Sequence, residues 1–137
     1  MTDIHALANR YVAVWNEPDP TLRREAVVGL WTADGVQKLE PPQDVRDAAA
    51  ALVVNPIFES RGHDALEARV ARAYEEFIAP GEFVFRRRDD AARVGDVVKF
   101  RWEMVRKEDG ETVAVGLQFL VLDGDGRVRL DYQFIES

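Results

Sequence analysis

The 137-residue chain contains no cysteine. That removes disulfides, thiol nucleophiles and thiolate metal ligands, and fits a reducing compartment, so a cytoplasmic location is expected. Histidine is almost as scarce. His5 and His63 are the only two, far apart and without a paired acidic motif, so neither a metal site nor a cofactor is expected. Positive charge is in deficit: Lys+Arg 18 against Asp+Glu 25 gives −7. An acidic chain is a poor partner for nucleic acid or an anionic membrane, because both demand a basic surface. The one dense basic run, Arg86-Arg87-Arg88, is followed at once by Asp89-Asp90 and reads as a solvated edge strand. No apolar run approaches the roughly 20 residues that span a bilayer. Met1-Thr2-Asp3-Ile4-His5 lacks the basic and apolar regions of a signal peptide. Internal repeats and low-complexity linkers are also missing, so residues 1–137 are expected to form a single domain.

What is present is ordinary globular composition, 47% hydrophobic and 31% charged, with a patterned C-terminal third. Val98, Phe100, Trp102 and Met104 alternate with Lys99, Arg101 and Glu103, and Lys107-Glu108-Asp109-Gly110 breaks the run. Val113–Leu122 is apolar on both faces apart from Gln118, and Asp123-Gly124-Asp125-Gly126 makes a second turn. Val128, Leu130, Tyr132 and Phe134 then alternate with Arg129, Asp131, Gln133 and Ile135. Period-two alternation bounded by Asp-Gly turns predicts two successive β-hairpins. Gln118 and Asp131 are polar residues in strands otherwise built for burial, and chemistry is expected near them. Asp123-Gly124-Asp125-Gly126 resembles the start of a calcium loop, but Arg127 and Val128 stand where oxygen donors are needed, so it reads as a hairpin turn.

The N-terminal half is helical. Thr2 or Asp3 can cap a first helix whose stripe is Ile4, Leu7, Ala8, Tyr11, Val12 and Trp15, ended by Asn16-Glu17-Pro18. Asp19-Pro20 restarts the chain as N-cap and N1 of a second helix, with Leu22, Ala26, Val27, Leu30 and Trp31 expected on its buried side. Ala33-Asp34-Gly35 reads as a turn and Val36–Leu39 as a short strand. Asp44–Val53 is alanine-rich and expected to be helical, with Asn55-Pro56 as its stop and the Asp44–Arg61 segment placed over any pocket. Gly62-His63-Asp64 opens the longest helix, apolar at Leu66, Val70, Ala73, Tyr74, Phe77 and Ile78 and ended by Ala79-Pro80-Gly81. Phe83–Arg88 is a strand, and Ala91–Arg93 a short connection. Helices early and antiparallel strands late predict an α+β fold with the helices on one face of the sheet. A curved sheet with helices against it makes a cone, whose mouth is a natural ligand site.

Arg10-Tyr11-Val12-Ala13-Val14-Trp15-Asn16 and Leu30-Trp31-Thr32-Ala33-Asp34-Gly35-Val36 are similar to the opening of SnoaL-like proteins. The helix start Gly62-His63-Asp64-Ala65-Leu66 and the hairpin Leu122-Asp123-Gly124-Asp125-Gly126-Arg127-Val128 look like the same group. It belongs to the nuclear transport factor 2-like superfamily, with ketosteroid isomerase and scytalone dehydratase. The resemblance covers essentially the whole chain. It implies a cone-shaped α+β barrel, a strongly curved antiparallel or mixed sheet packed against three or four helices. It does not select a function, because the superfamily mixes isomerases, cyclases, dehydratases and binding modules.

The resemblance also assigns expected roles. Tyr11 matches the helix-one tyrosine that donates to the substrate oxyanion in ketosteroid isomerase. Glu40-Pro41 reaches the position of that enzyme's base only with a one-residue insertion; otherwise Leu39 takes the place. Gln118 falls at its second oxyanion donor, and Asp131 where SnoaL-type polyketide cyclases are expected to carry their acid/base aspartate. Catalytic roles are therefore expected for Asp131, Tyr11 and Gln118, and ligand contacts for Trp15, Phe58, Val98, Phe100, Trp102, Met104 and Gln133. Plainer roles remain open at this point. Asp131 can pair with Arg101 or Arg129 at an exposed edge, Tyr11 can be core, Gln118 can satisfy backbone, and His63 can orient its helix.

The expected ligand is a small hydrophobic molecule. The expected function is cofactor-free acid–base chemistry on a polyketide-like or other carbonyl compound, by aldol-type cyclisation, isomerisation or dehydration. The alternative is a non-catalytic binding or dimerisation module. A purely structural domain would require the cone to be filled by Trp and Phe side chains. Val97, Val113, Val115, Leu117, Phe119 and Val121 make the outer sheet face too apolar for solvent, and a homodimer through that face is expected.

Overall fold

The computed structural model describes residues 2–52 and 58–136. Helix α1 spans Ile4–Asn16, and the Asp3 carboxylate caps it by accepting from the His5 and Ala6 amides. Its apolar stripe buries Leu7, Ala8, Tyr11, Val12, Val14 and Trp15. Helix α2, Pro20–Leu30, begins at the Asp19 cap with proline in its first turn. The expected buried side of α2 needs two corrections. Leu22 is exposed and Arg23 turns inward, stacking on the Tyr74 ring and donating to the Pro18 carbonyl. Trp31 lies beyond the helix and opens strand β1, Trp31–Leu39, so this strand starts five residues before the expected Val36.

Helix α3 covers Gln43–Ala51; the expected stop at Asn55-Pro56 lies outside the described residues. A short strand, β2 (Phe58–Arg61), pairs with β1 and runs directly into helix α4, Gly62–Ala73. That abrupt change of direction uses a left-handed backbone at Gly62, φ +83°, which glycine adopts without strain. The helical pattern continues past α4 as one widened π-turn, Tyr74–Ile78, closed by Ala79 N–H donating to Tyr74 O. Such turns are frequent at functional sites.

Strands β3 (Phe83–Arg87), β4 (Ala92–Val94), β5 (Val97–Arg106), β6 (Thr112–Leu122) and β7 (Val128–Glu136) complete the chain. The expected connection at Ala91–Arg93 is thus largely a strand, sharing one edge of β5 with β3. Sheet order is β2-β1-β7-β6-β5-β3, antiparallel except for the parallel β1–β7 pair. The sheet curves without closing. Register breaks at Trp31/Val36, Met104/Val105 and Val121/Leu122 supply bends of the kind bulges give.

The core lies between the helices and the concave face, centred on Leu7, Tyr11, Leu30, Trp31, Leu66, Val70, Phe100 and Leu120. Among the described residues no helix is long and apolar enough to cross a membrane.

Candidate functional site

Strand periodicity places the polar residues. On β6, Gln118 shares the inward face with Leu120 and Leu122. On β7, Asp131 and Gln133 face inward while Leu130, Tyr132 and Phe134 face outward, the reverse of the usual assignment. The parallel pairing sets Gln37 of β1 opposite Asp131. Helix α1 crosses above and lowers the Tyr11 ring onto Phe100 and Trp31, at centroid distances of 5.5 and 5.7 Å.

These four side chains form one buried network. The Tyr11 hydroxyl donates to Asp131 Oδ2 at 2.7 Å. Gln118 Nε2 donates to Asp131 Oδ1 at 2.6 Å and to the Tyr11 oxygen at 2.9 Å. Gln37 Nε2 donates to the Tyr11 oxygen at 3.0 Å and to Asp131 Oδ2 at 3.3 Å. The Trp102 indole N–H orients Gln118 by donating to its Oε1 at 2.8 Å. That contact fixes which end of the amide faces the carboxylate.

Asp131 is fully buried and forms no ion pair among the described residues. Arg101 is held by Glu136 and Asp90, and Arg129 faces Asp96, so the edge-pairing alternative is set aside. Burial disfavours the carboxylate more than the Tyr11, Gln118 and Gln37 hydrogen bonds favour it, and the carboxyl is pushed up to about 7. The Trp31 indole N–H adds a small lowering influence there without reaching hydrogen-bond geometry to an acceptor among the described residues. Tyr11 is held well above the ordinary phenol range, first by burial and then by the adjacent Asp131 charge.

Tyr11 is also the roof of this network toward a cavity of about 760 Å³. Its walls come from Tyr11, Val12 and Trp15 of α1, Arg69, Arg72 and Ala73 of α4, Phe77 of the π-turn, Phe85 of β3, and Trp102 and Met104 of β5. Leu39, Glu40, Pro42, Phe58, Gln133 and Ile135 also line it. A cone plugged by its own aromatic side chains is therefore excluded.

The structure brings Asp131, Tyr11 and Gln118 together, but only Tyr11 of the three reaches the cavity wall. Trp15, Phe58, Trp102, Met104 and Gln133 line it. Val98 and Phe100, expected on the wall, are corrected to the closed core, where α1 covers them and Phe100 supports the Tyr11 ring. Glu40 reaches the wall but is engaged by Arg46 and by the Ile135 amide. The segment expected over the pocket contributes Phe58, Glu59 and Ser60 of β2. His63 donates from Nε2 to the Trp31 carbonyl and so ties α4 to β1. The Asp123–Gly126 loop is a hairpin turn: Asp123 Oδ1 accepts from the Asp125 and Arg127 amides.

Two residues escaped the sequence reading. Gln37 sits in a strand too short, as read, to show which face is buried. Arg69 lies one helical turn after Leu66, at the border of an apolar stripe where a cation is out of place. That position was its signal.

Glycine at 116 is a condition of the site. A Cβ there would collide with the ring of Trp102, which pairs with Gly116 across β5 and β6.

No protein-family model matches the chain, and no curated protein matches it. Solved structures do. A SnoaL-like family protein from Agrobacterium tumefaciens superposes with TM-score 0.76 at 23% identity, covering 100% of both chains. A SnoaL-like protein from Burkholderia thailandensis gives 0.63 at 15%, covering 99% of this chain and 100% of that one. A proposed polyketide cyclase from Sinorhizobium meliloti gives 0.60 at 15%, covering 94% of each. With these similarities over 94% or more of its length, the chain has the fold of the SnoaL-like proteins.

Proposed function

We propose that this protein is an acid–base enzyme of the cytoplasm. It acts without a cofactor on a hydrophobic carbonyl compound, polyketide-like in character, by aldol-type cyclisation, isomerisation or dehydration. The observation that carries this reading is a buried aspartate poised near neutrality, bonded to a tyrosine whose other side faces the cavity. Two proton states follow. With Asp131 ionised, the Tyr11 proton points at the carboxylate. With Asp131 protonated, the carboxylic acid donates to the Tyr11 oxygen and the phenol proton is released to turn toward the cavity.

The Tyr11 oxygen accepts from both glutamines. Two lone pairs cannot serve three donors, so one amide lets go in the second state; Gln37 has Asp131 as a second acceptor. A proton from a carbon next to the substrate carbonyl passes to the Tyr11 oxygen as the Tyr11 proton passes to Asp131 Oδ2, leaving an enolate, a neutral phenol and a protonated Asp131. The enolate oxygen that forms meets a phenol donor in a low-dielectric wall. Asp131 is a relay member behind Tyr11, and the phenol makes the contact with the reacting atoms. The test is turnover of a panel of aryl-substituted diketones followed by enolate absorbance. Loss of at least a hundredfold in both Tyr11→Phe and Asp131→Asn supports the relay, and unchanged turnover in Asp131→Asn contradicts it.

A second reading, a non-catalytic binding module, is favoured by one observation: Asp131 has no exposed surface and every atom of the Tyr11 hydroxyl is already engaged. It predicts ligand binding that both substitutions leave intact, with no turnover in the parent. In either case we propose a homodimer through the convex face. Helices α1, α2 and α4 supply the core on the other face, and Val113 and Phe134 are exposed beside half-buried Leu117, Phe119 and Val121.

A further inference from the structure

The cavity wall carries five charged side chains, and they are not equivalent. Glu40 pairs with Arg46, and Glu59 with Lys38 and Arg61. Arg72 and Glu76 are exposed at the rim. Arg69 is different. It is half-buried, its guanidinium lies over the Trp15 ring at 5.2 Å, and its Nε is buried with no hydrogen-bond partner among the described residues. Those residues offer it no ion pair; Arg23, buried more deeply, also lacks one but donates to the Pro18 carbonyl, a partner that Arg69 does not have among them. Helix α4 spends a cation on a site where an alanine or leucine would continue the apolar stripe.

An unpaired guanidinium in a largely apolar, aromatic-walled cavity is a receptor for an anion. The choice among anions follows from the surroundings. A phosphate dianion needs several donors, and among the described residues Arg72 at the rim is the sole further cation on the wall. A carboxylate is planar, carries one charge and matches a single guanidinium fork. Stacking on Trp15 holds that fork in place before any ligand arrives, which reduces the ordering cost of binding.

We propose that the ligand of this cavity bears a carboxylate that pairs with Arg69, on an apolar body held among Trp15, Phe77, Phe85 and Trp102. This rests on the cavity being a small-molecule site and deepens that reading. It makes the substrate class a hydrophobic keto acid. The carboxylate anchors one end and the reacting carbonyl is presented to Tyr11.

The test is calorimetric titration of the full chain with β-naphthoate and with its uncharged amide, β-naphthamide. The parent is expected to prefer the carboxylate by about tenfold or more, the worth of a charge-assisted pair in a partly dry site. Arg69→Met keeps the apolar stem over Trp15. It should bind the two probes alike, with amide affinity unchanged. Arg69→Lys keeps the charge and should retain part of the preference, so the outcome does not hang on one variant's folding. Equal affinities in the parent, or a preference surviving in Arg69→Met, overturn the assignment while leaving a ligand cavity in place. Failure of both probes to bind the parent overturns the assignment and the cavity reading together.

Discussion

Gln37 on β1 and Asp131 on β7 face each other across the one parallel strand pair of the sheet, and the Gln37 amide touches both the Asp131 carboxylate and the Tyr11 oxygen. Its own Oε1 is buried without a partner among the described residues. Gln37 thus favours the ionised form of Asp131 while carrying an unsatisfied acceptor.

Gln37→Leu should therefore raise the Asp131 pKa above about 7, because a donor to the charged form is gone. Stability at pH 6 should change by less than about 1 kcal/mol, since the lost hydrogen bonds are offset by removal of a buried unpaired carbonyl. The acidic limb of the pH–rate profile and a urea titration check the two statements.

Tyr11→Phe separates catalysis from packing. The ring contacts with Phe100 and Trp31 survive; lost are the charge-assisted hydrogen bond to Asp131 and the two that the phenol oxygen accepts from Gln37 and Gln118, whose amides keep Asp131 as an acceptor. A stability cost of about 1.5–3 kcal/mol is expected, with turnover reduced far beyond what that cost implies. Equal proportional losses, measured by chemical denaturation and initial rates, would favour a tyrosine that is only core.

The pH dependence of stability has a definite sign. Folded Asp131 titrates at about 7 and an unfolded aspartate at about 3.9, so between those values the folded chain holds a proton that the unfolded chain has lost. The Asp131 contribution to stability is complete below pH 4 and is lost as pH rises through 7, by an amount on the order of 4 kcal/mol. Asp131→Asn has no such titration. Its stability relative to the parent should rise from pH 4 and level off above about pH 7 in parallel denaturant titrations; a constant difference would show that the carboxyl is not raised.

Gly116→Ala is expected to damage the site from behind. The added Cβ meets the Trp102 ring and forces it off β6, breaking its bond to Gln118 and closing part of the cavity wall. Overpacking of this kind costs about 1–3 kcal/mol. Probe affinity and the tryptophan emission maximum should both change. An unaltered emission spectrum would mean that Trp102 had not moved.

The outer face makes a separate prediction. Sedimentation at micromolar concentration should give twice the chain mass, and Phe134→Glu with Val113→Glu should give a monomer. A monomeric parent would show that the exposed apolar residues are tolerated in water.

Much of the fold was legible because its signals are local. Asp3 and Asp19 cap their helices as read, and the two Asp-Gly turns fix the β5–β6–β7 meander. Gln118 and Asp131 stood out as polar residues in apolar strands, and they do converge. The failures are long-range. Helix periodicity carried Trp31 into α2, since nothing local marks where an apolar run passes from helix to strand. Val98 and Phe100 share a face with Trp102 and Met104, yet the cover of α1 decides that the first pair is core and the second pair wall. Gln37 was hidden because its neighbour on β7 is set by a parallel pairing across 94 residues of chain.

The most direct measurement is a carboxyl-carbon NMR titration of Asp131 in the ligand-free protein. The relay requires a midpoint near 7, moving higher in Tyr11→Phe as a hydrogen bond to the charged form disappears. A midpoint at or below the ~3.9 of a free aspartate would contradict it, because such a group is ionised throughout the neutral range and has no proton to return through Tyr11.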